Sequence, residues 1–253
     1  MINVQGVRKL FGGNGTSPAT LALDRLDFTV AAHEFVCLVG PSGCGKTTVL
    51  KVLAGLVTPD AGEVTINGIR VTAPGADRAM VFQQPALLPW ANVLTAVAFG
   101  LQLRGMPKAE RDTIARDLIR TVGLSGFEQH YPRQLSGGMQ QRVGLARALA
   151  VNPDILLMDE PFAATDAQTR RSLQEELLRL HATLRKTVVF VTHDIDEAVR
   201  LGDRVLLMSP RPGRIRETVV VSAPRPRSTA LDSDAESARL KAYLWWQLQD
   251  GSS

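Results

Sequence analysis

The sequence predicts an α/β protein with a parallel core sheet, a small antiparallel sheet at the N-terminus and an inserted helical subdomain. Three observations carry that prediction. Residues 34–39 (EFVCLV) form a near-continuous apolar run that ends in a glycine-rich turn, the pattern of a strand covered on both faces. A second run, residues 155–158 (ILLM), ends in two carboxylates, Asp159 and Glu160. Between the two, from Val93 to Ala150, the apolar residues recur at helical spacing with charges between them.

The remaining elements follow in order. Residues 4–10 and 26–30 read as short strands, separated at 12–20 by a turn or hairpin region of Gly, Asn, Thr, Ser and Pro. Residues 47–56 read as a helix, and 63–66 as a strand turning at Asn67-Gly68. Residues 79–82 read as another buried strand, and 187–192 and 204–209 return to the sheet. An amphipathic helix at 172–184 joins two of those strands, as a βαβ unit requires. The stretch at 222–234 (SAPRPRSTALDSD) reads as a linker, and 236–249 as a short terminal helix in which Trp245-Trp246 is expected to pack. The expected organisation is one domain over 1–221, with the helical subdomain inserted at about 91–150, and a linker and helix over 222–253.

Composition narrows the classes. The chain has 253 residues, enough for a large core, with 45% hydrophobic and only 5% aromatic residues. A net charge of +4 suits a protein that handles polyphosphate or sits near acidic lipid, but a solvated surface explains it equally. Cys37 and Cys44 make neither a disulfide framework nor a metal set, so a reducing compartment is the default. Residues 1–11 lack the apolar core of a signal peptide, and no stretch reaches the ~20 apolar residues that cross a bilayer. Any work on a membrane therefore calls for another chain to do the spanning.

Gly40-Pro41-Ser42-Gly43-Cys44-Gly45-Lys46-Thr47, with Thr48 next, fits G-x-x-x-x-G-K-[ST] at every fixed position. Glycines at these places let successive backbone N–H groups face a phosphate, and the following helix adds its positive end. Lys46 is expected on the β- and γ-phosphates of a nucleotide and the Thr47 hydroxyl on Mg²⁺. Asp159 is expected to hold Mg²⁺, directly or through water, and Glu160 to orient the attacking water, because α/β sheets place ligands at the carboxyl ends of their strands. An acidic strand end alone is common; beside the phosphate loop it gains meaning. Leu135-Ser136-Gly137-Gly138-Met139-Gln140-Gln141-Arg142 offers a serine N-cap and bare glycine amides at a helix start, which suit an anion. A capped helix start is by itself a sufficient physical account of that string.

The loop, the acidic strand and the string at Ser136 together resemble the ATP-binding cassette (ABC) family over residues 2–221. That resemblance implies a head-to-tail homodimer in which Ser136, Gly137, Gly138 and Gln140 of one copy serve the ATP held by Lys46 of the other. It implies further roles: Gln83 contacts Mg²⁺ or the water, His193 in Val-Thr-His-Asp contacts the γ-phosphate, Phe11 stacks on adenine, and Asp166, which the family keeps after Glu160, belongs to the nucleotide site. His33, His130 and His181 are assigned to surface or core. A finer resemblance, to the nitrate, sulfonate and taurine importer group, rests on residues 73–78 (APGADR), 87–90 (LLPW) and 212–215 (PGRI). It implies ATP and Mg²⁺ as cofactors, a permease docking near Gln83 and Trp90, a soluble binding protein across the membrane, no nucleic acid, and a peripheral place on the cytoplasmic face. The alternative is a soluble ABC ATPase acting on ribosomes, nucleic acid or a scaffold, towards which only the arginines of 211–216 and 225–227 lean; solvated arginines explain these too. Two places stand apart. Ala163-Ala164-Thr165-Asp166 puts Thr165 where the family has an apolar residue near the dimer interface. Cys44 lies at a helix N-terminus that favours thiolate, although a small residue at a permissive position is the simpler account.

Overall fold

The computed structural model describes residues 1–12, 18–163, 165–225, 227 and 234–250. The turn expected within 12–20 falls largely on residues 13–17, which lie outside the described residues, as do Ala164 and most of the expected linker. The chain divides into two compact units, one of Met1–Gly75 with Lys186–Ser253 and one of Ala76–Arg185.

In the first unit, β1 (Ile2–Phe11) and β2 (Thr20–Val30) pair antiparallel, and β4 (Ala61–Ile66) pairs with β1 on its other side. The Asn67-Gly68 turn, with φ of 50° and 79°, leads into the short β5 (Ile69–Arg70). β3 (Phe35–Val39) runs parallel to both β8 (Thr187–Thr192) and β9 (Arg204–Met208). Every residue of β3 and β8 is buried, which is why both read as unbroken apolar runs. Each such aliphatic side chain contributes roughly 1.5–3 kcal/mol when fully buried. The register pairs Val39 with Thr192, so Gly40 and His193 leave the sheet side by side at its carboxyl edge. α1 (Lys46–Leu53) follows β3, and α6 (Ile195–Leu201) follows β8.

Three elements here were not expected: the two-residue β5, α6, and β10 (Ile215–Val220), which pairs antiparallel with β9. Within the expected linker, two described arginines are engaged with the fold. Arg225 donates to Asp203 at 2.8 Å and to the Leu201 carbonyl at 2.6 Å. Arg227, 7% exposed, donates to the carbonyls of Ala223, Val199 and Gly202. These arginines are straps across the end of α6, not solvated charges. α7 (Ala235–Asp250) rests on α6 through Lys241–Asp196 at 2.5 Å and on β10 through Tyr243 Oη to Glu217 at 2.8 Å. Trp245 and Trp246 do not pack: they are 57% and 56% exposed, because Leu244 faces inward and the next two residues turn 100° and 200° away from it.

In the second unit, β6 (Arg78–Val81) and β7 (Ile155–Asp159) run parallel. β7 is fully buried, whereas only Val81 of β6 is, so the expectation of a second buried strand there is corrected to a half-covered one. Val81 pairs with Met158, which brings Gln83 and Asp159-Glu160 out at one carboxyl edge. The helical stretch resolves into α2 (Val93–Leu103), α3 (Lys108–Thr121) and α4 (Gly137–Ala150). α5 (Ala167–Leu184) begins five residues earlier than its apolar spacing suggested, because Asp166 caps it.

Candidate functional site

In the first unit the phosphate-loop sequence joins β3 to α1. Gly43 and Gly45 have φ of 76° and 108°, which a side chain tolerates poorly. Gly45 is also pressed against β2: a Cβ there would stand 2.8 Å from Leu23 Cδ2 and 3.0 Å from the Ala22 carbonyl oxygen. The Lys46 side chain is 6% exposed, and its Nζ donates to the carbonyls of Gly40 at 2.7 Å and Pro41 at 3.1 Å. The ammonium is thereby held over the loop. No side chain caps the N-terminus of α1 and its first turn has no acidic residue. An ammonium beside such a helix start, in a glycine turn, is a donor set that fits phosphate oxygens.

Cys44 is 1% exposed, and burial pushes its thiol above the usual value despite Lys46 beside it. The small-residue account of this position therefore holds over the thiolate one. Across the register from this loop, the turn at His193 is tightly fastened. The buried Thr192 hydroxyl donates to Glu197 Oε2 at 2.6 Å and accepts from the Asp194 N–H at 3.0 Å. Asp194 in turn caps α6, accepting from the N–H groups of Asp196 and Glu197. His193 itself is exposed. Phe11, at the end of β1, is 43% exposed, with Lys9 Nζ 5.5 Å from its ring centroid.

In the second unit Asp159 is 8% exposed and Glu160 follows with φ of 42°, an unusual conformation for a non-glycine residue. Gln83 is exposed, and its carbonyl accepts from Gln141 Nε2 at 2.6 Å. Ser136 caps α4, its Oγ accepting from the Met139 N–H at 3.3 Å. The side-chain amide of Gln140 donates to the Pro132 and Leu135 carbonyls at 3.0 and 3.3 Å, shaping the turn before the helix. Asp166 caps α5, accepting from the Thr169 N–H at 2.9 Å, and this N–H holds its carboxyl below the usual range. These two helix starts are adjacent, since a Cβ on Gly138 would stand 2.5 Å from Thr169 Cγ2. Arg142 fastens α4 to α5 through Glu176 at 2.8 Å. Thr165 is 8% exposed and donates to the Phe162 carbonyl at 2.7 Å, so its hydroxyl is satisfied within its own turn.

Arg147 and Gly144 on α4 escaped the sequence reading. Arg147 donates to the carbonyls of Pro85 at 2.7 Å and Ala86 at 2.9 Å, and burial lowers its pKa. Together with Gln141 it fixes the segment after Gln83 to the helix that Ser136 caps. Gly144 lies between them, and a Cβ there would meet Pro85 Cβ at 3.5 Å. The small residue at a spacing of three from each was the available signal.

The chain is similar to known proteins over most of its length. A family profile described as ABC transporter matches residues 23–163. An ABC transporter ATP-binding protein of Methanocaldococcus jannaschii is 54% identical over 226 residues, 89% of this chain and 84% of the relative. The taurine import ATP-binding protein TauB of Yersinia pseudotuberculosis is 45% identical over 249 residues, 96% of this chain and 95% of the relative. Among solved structures, a dimeric ATP-binding cassette in a post-hydrolysis state with ADP and phosphate superposes with a TM-score of 0.79 at 34% identity. That match covers 88% of this chain and 100% of the cassette.

Proposed function

This chain belongs to the ABC transporter family as an ATP-hydrolysing subunit, and on that premise we propose that it energises import of taurine, another sulfonate, nitrate or a related small compound. The observation that carries the reading is the likeness to TauB over 96% of this chain. Two copies close head to tail over two ATP molecules. Lys46 and the amides of the loop from Gly40 to Thr48 neutralise and orient the β- and γ-phosphates. Thr47, Gln83 and Asp159 would hold Mg²⁺, which would offset the remaining phosphate charge. Glu160 directs a water in line with the γ-phosphate, and His193 keeps that phosphate in place. The start of α4 in the second copy, at Ser136, Gly137 and Gly138, binds the same γ-phosphate from the other side, with Gln140 and Asp166 shaping the two helix starts. Phe11 stacks on adenine. The chemistry is positioning and electrostatics.

A membrane permease docks beside Gln83, where Trp90 is 74% exposed, and a soluble binding protein delivers cargo on the far side. Among the described residues no helix is long and apolar enough to cross a membrane; in this reading the subunit sits peripherally and the permease spans. The soluble reading is not favoured: the likeness is to an importer subunit, and Arg225 and Arg227, two of the arginines that leaned towards it, are engaged within the fold.

The test is an affinity pull-down of Glu160→Gln, with ATP, from detergent-solubilised membranes of the native host. Recovery of a multi-span permease is expected. Recovery of ribosomes or nucleic acid with no membrane protein would overturn the importer reading and leave the ATP site standing.

A further inference from the structure

The 212–215 stretch marked a likeness to one importer group and has no part in the chemistry above. The structure places it against the phosphate loop. It lies in the turn between β9 and β10, which closes on itself through Ser209: the Ser209 N–H donates to the Arg214 carbonyl at 2.9 Å, and Ser209 Oγ donates to the Pro212 carbonyl at 2.9 Å. The turn is anchored to β2 on both sides of Leu23. The Gly213 N–H donates to the Ala22 carbonyl at 2.9 Å, the Asp24 N–H donates to the Gly213 carbonyl at 3.0 Å, and Arg214 pairs with the Asp24 carboxylate.

From this anchored base two contacts reach the loop. The Arg211 guanidinium donates Nε–H and Nη2–H to the single carbonyl of Gly43, at 3.1 and 2.9 Å. Gly213 backs onto the neighbouring residue so closely that a Cβ on it would stand 2.2 Å from the Cys44 carbonyl oxygen. The same Ala22 carbonyl that fastens Gly213 lies 3.0 Å from where a Gly45 Cβ would be. Gly43, Cys44 and Gly45 are thus each braced from outside, by Arg211, Gly213 and β2 respectively. The Gly43 carbonyl drawn towards a fixed cation at one end, and the Cys44 N–H on the Pro41 carbonyl at 3.3 Å at the other, together settle the orientation of the peptide plane between them. A loop that binds phosphate through successive N–H groups depends on such planes being set in advance.

We propose that Arg211 and Gly213 are positioning residues of the nucleotide site, holding the phosphate loop in its phosphate-accepting shape before nucleotide arrives. The inference rests on the reading that residues 40–48 bind the phosphates of ATP. Its consequence is a division of labour: the turn governs nucleotide affinity and leaves the hydrolytic step to Glu160 and His193. Arg211 is exposed and lies in the turn after β9, so removing its side chain opens no cavity in the core.

The experiment compares full-length Arg211→Ala, Arg211→Lys, Gly213→Ala and Lys46→Ala with the wild type, reading Kd for ADP by calorimetry and KM and kcat for ATP. Arg211→Ala is expected to raise Kd for ADP and KM for ATP together by roughly tenfold, with kcat at saturation within about twofold. Arg211→Lys recovers part of the affinity, and Gly213→Ala weakens it at least as much as Arg211→Ala. Amides of residues 43–47 exchange hydrogen faster in nucleotide-free Arg211→Ala than in the wild type. Unchanged Kd and KM in Arg211→Ala, or a loss confined to kcat, would overturn the proposal. Lys46→Ala separates the two claims: if it loses nucleotide while Arg211→Ala does not, the strut fails and the site stands, whereas normal binding by Lys46→Ala means the site itself is misassigned.

Discussion

Replacing Thr192 by valine isolates what the turn at His193 contributes. The two side chains have nearly the same volume, so no cavity opens, and the loss is confined to the hydroxyl. That hydroxyl is buried, with Thr192 1% exposed, and serves the 6% exposed Glu197 at 2.6 Å and the Asp194 N–H at 3.0 Å. Withdrawing a donor from a buried carboxylate costs roughly 1.5–3 kcal/mol, and withdrawing the acceptor from the Asp194 N–H adds about 1 kcal/mol. The sum is about 2.5–4 kcal/mol, and in a chain of this size each kcal/mol lowers Tm by about 2–4 °C. Thr192→Val is therefore expected to melt about 5–15 °C lower by calorimetry, while Thr192→Ser, which keeps the hydroxyl, loses less than half of that. Because the lost bonds tie Asp194 and α6 to the strand end that carries His193, kcat is also expected to fall while ATP still binds. A valine variant that melts within about 2 °C of the wild type and turns over normally would refute both the energy assigned to this hydroxyl and its link to His193.

Three further outcomes follow from other residues. Glu160→Gln is expected to bind ATP normally and to lose about 10²–10⁴ in kcat, read in a phosphate-release assay, because the site keeps its cations and loses its base; normal turnover means another group directs the water. Cys44 is expected to give no N-ethylmaleimide adduct by mass spectrometry at neutral pH until the protein is unfolded in urea, since it is 1% exposed and its thiol is pushed up by burial; complete labelling of the folded protein would show that the loop opens. Arg227→Met keeps the apolar stem but removes donors to the Val199, Gly202 and Val221 carbonyls and the head whose pKa burial brings down to about 10. A loss of about 2–4 kcal/mol in urea unfolding is expected, and an unchanged midpoint would return this segment to the solvated linker that its composition suggested.

The parts of this protein that speak through one local stretch were legible in its sequence. β3 and β8 are buried on both faces and so read as apolar runs, and the loop between β3 and α1 is spelled by glycines whose φ values only that residue type adopts readily. The helix start at Ser136 carries a capping residue that caps as its chemistry suggests, whereas the cap at Asp166 went unread and α5 was placed five residues late. What stayed hidden depends on partners distant in sequence. β10 alternates intermediate and exposed residues, and Arg216 and Glu217 break its apolar pattern, so only its pairing with β9 defines it as a strand. Arg211, Arg225 and Arg227 sit in Pro-rich, polar stretches that look solvated, and their acceptors are carbonyls or carboxylates up to 168 positions away. Backbone acceptors leave no trace in composition. Trp245 and Trp246 misled in the opposite sense: large aromatic residues argue for packing, but helix rotation decides which of three consecutive residues faces in, and it chose Leu244.

The central claim is that each ATP is held between two copies, Lys46 from one and Ser136 from the other. Mixing two inactive variants tests it most directly. In a head-to-tail dimer, pairing Lys46→Ala with Ser136→Glu places both defects in one site and leaves the other site with an intact Lys46 and an intact Ser136. Each variant alone is expected to lack ATPase activity, and a one-to-one mixture is expected to recover up to about a quarter of wild-type turnover, since random pairing makes half the dimers mixed and each mixed dimer has one good site. A mixture no more active than either variant alone would place Lys46 and Ser136 in the same copy's site and contradict the account.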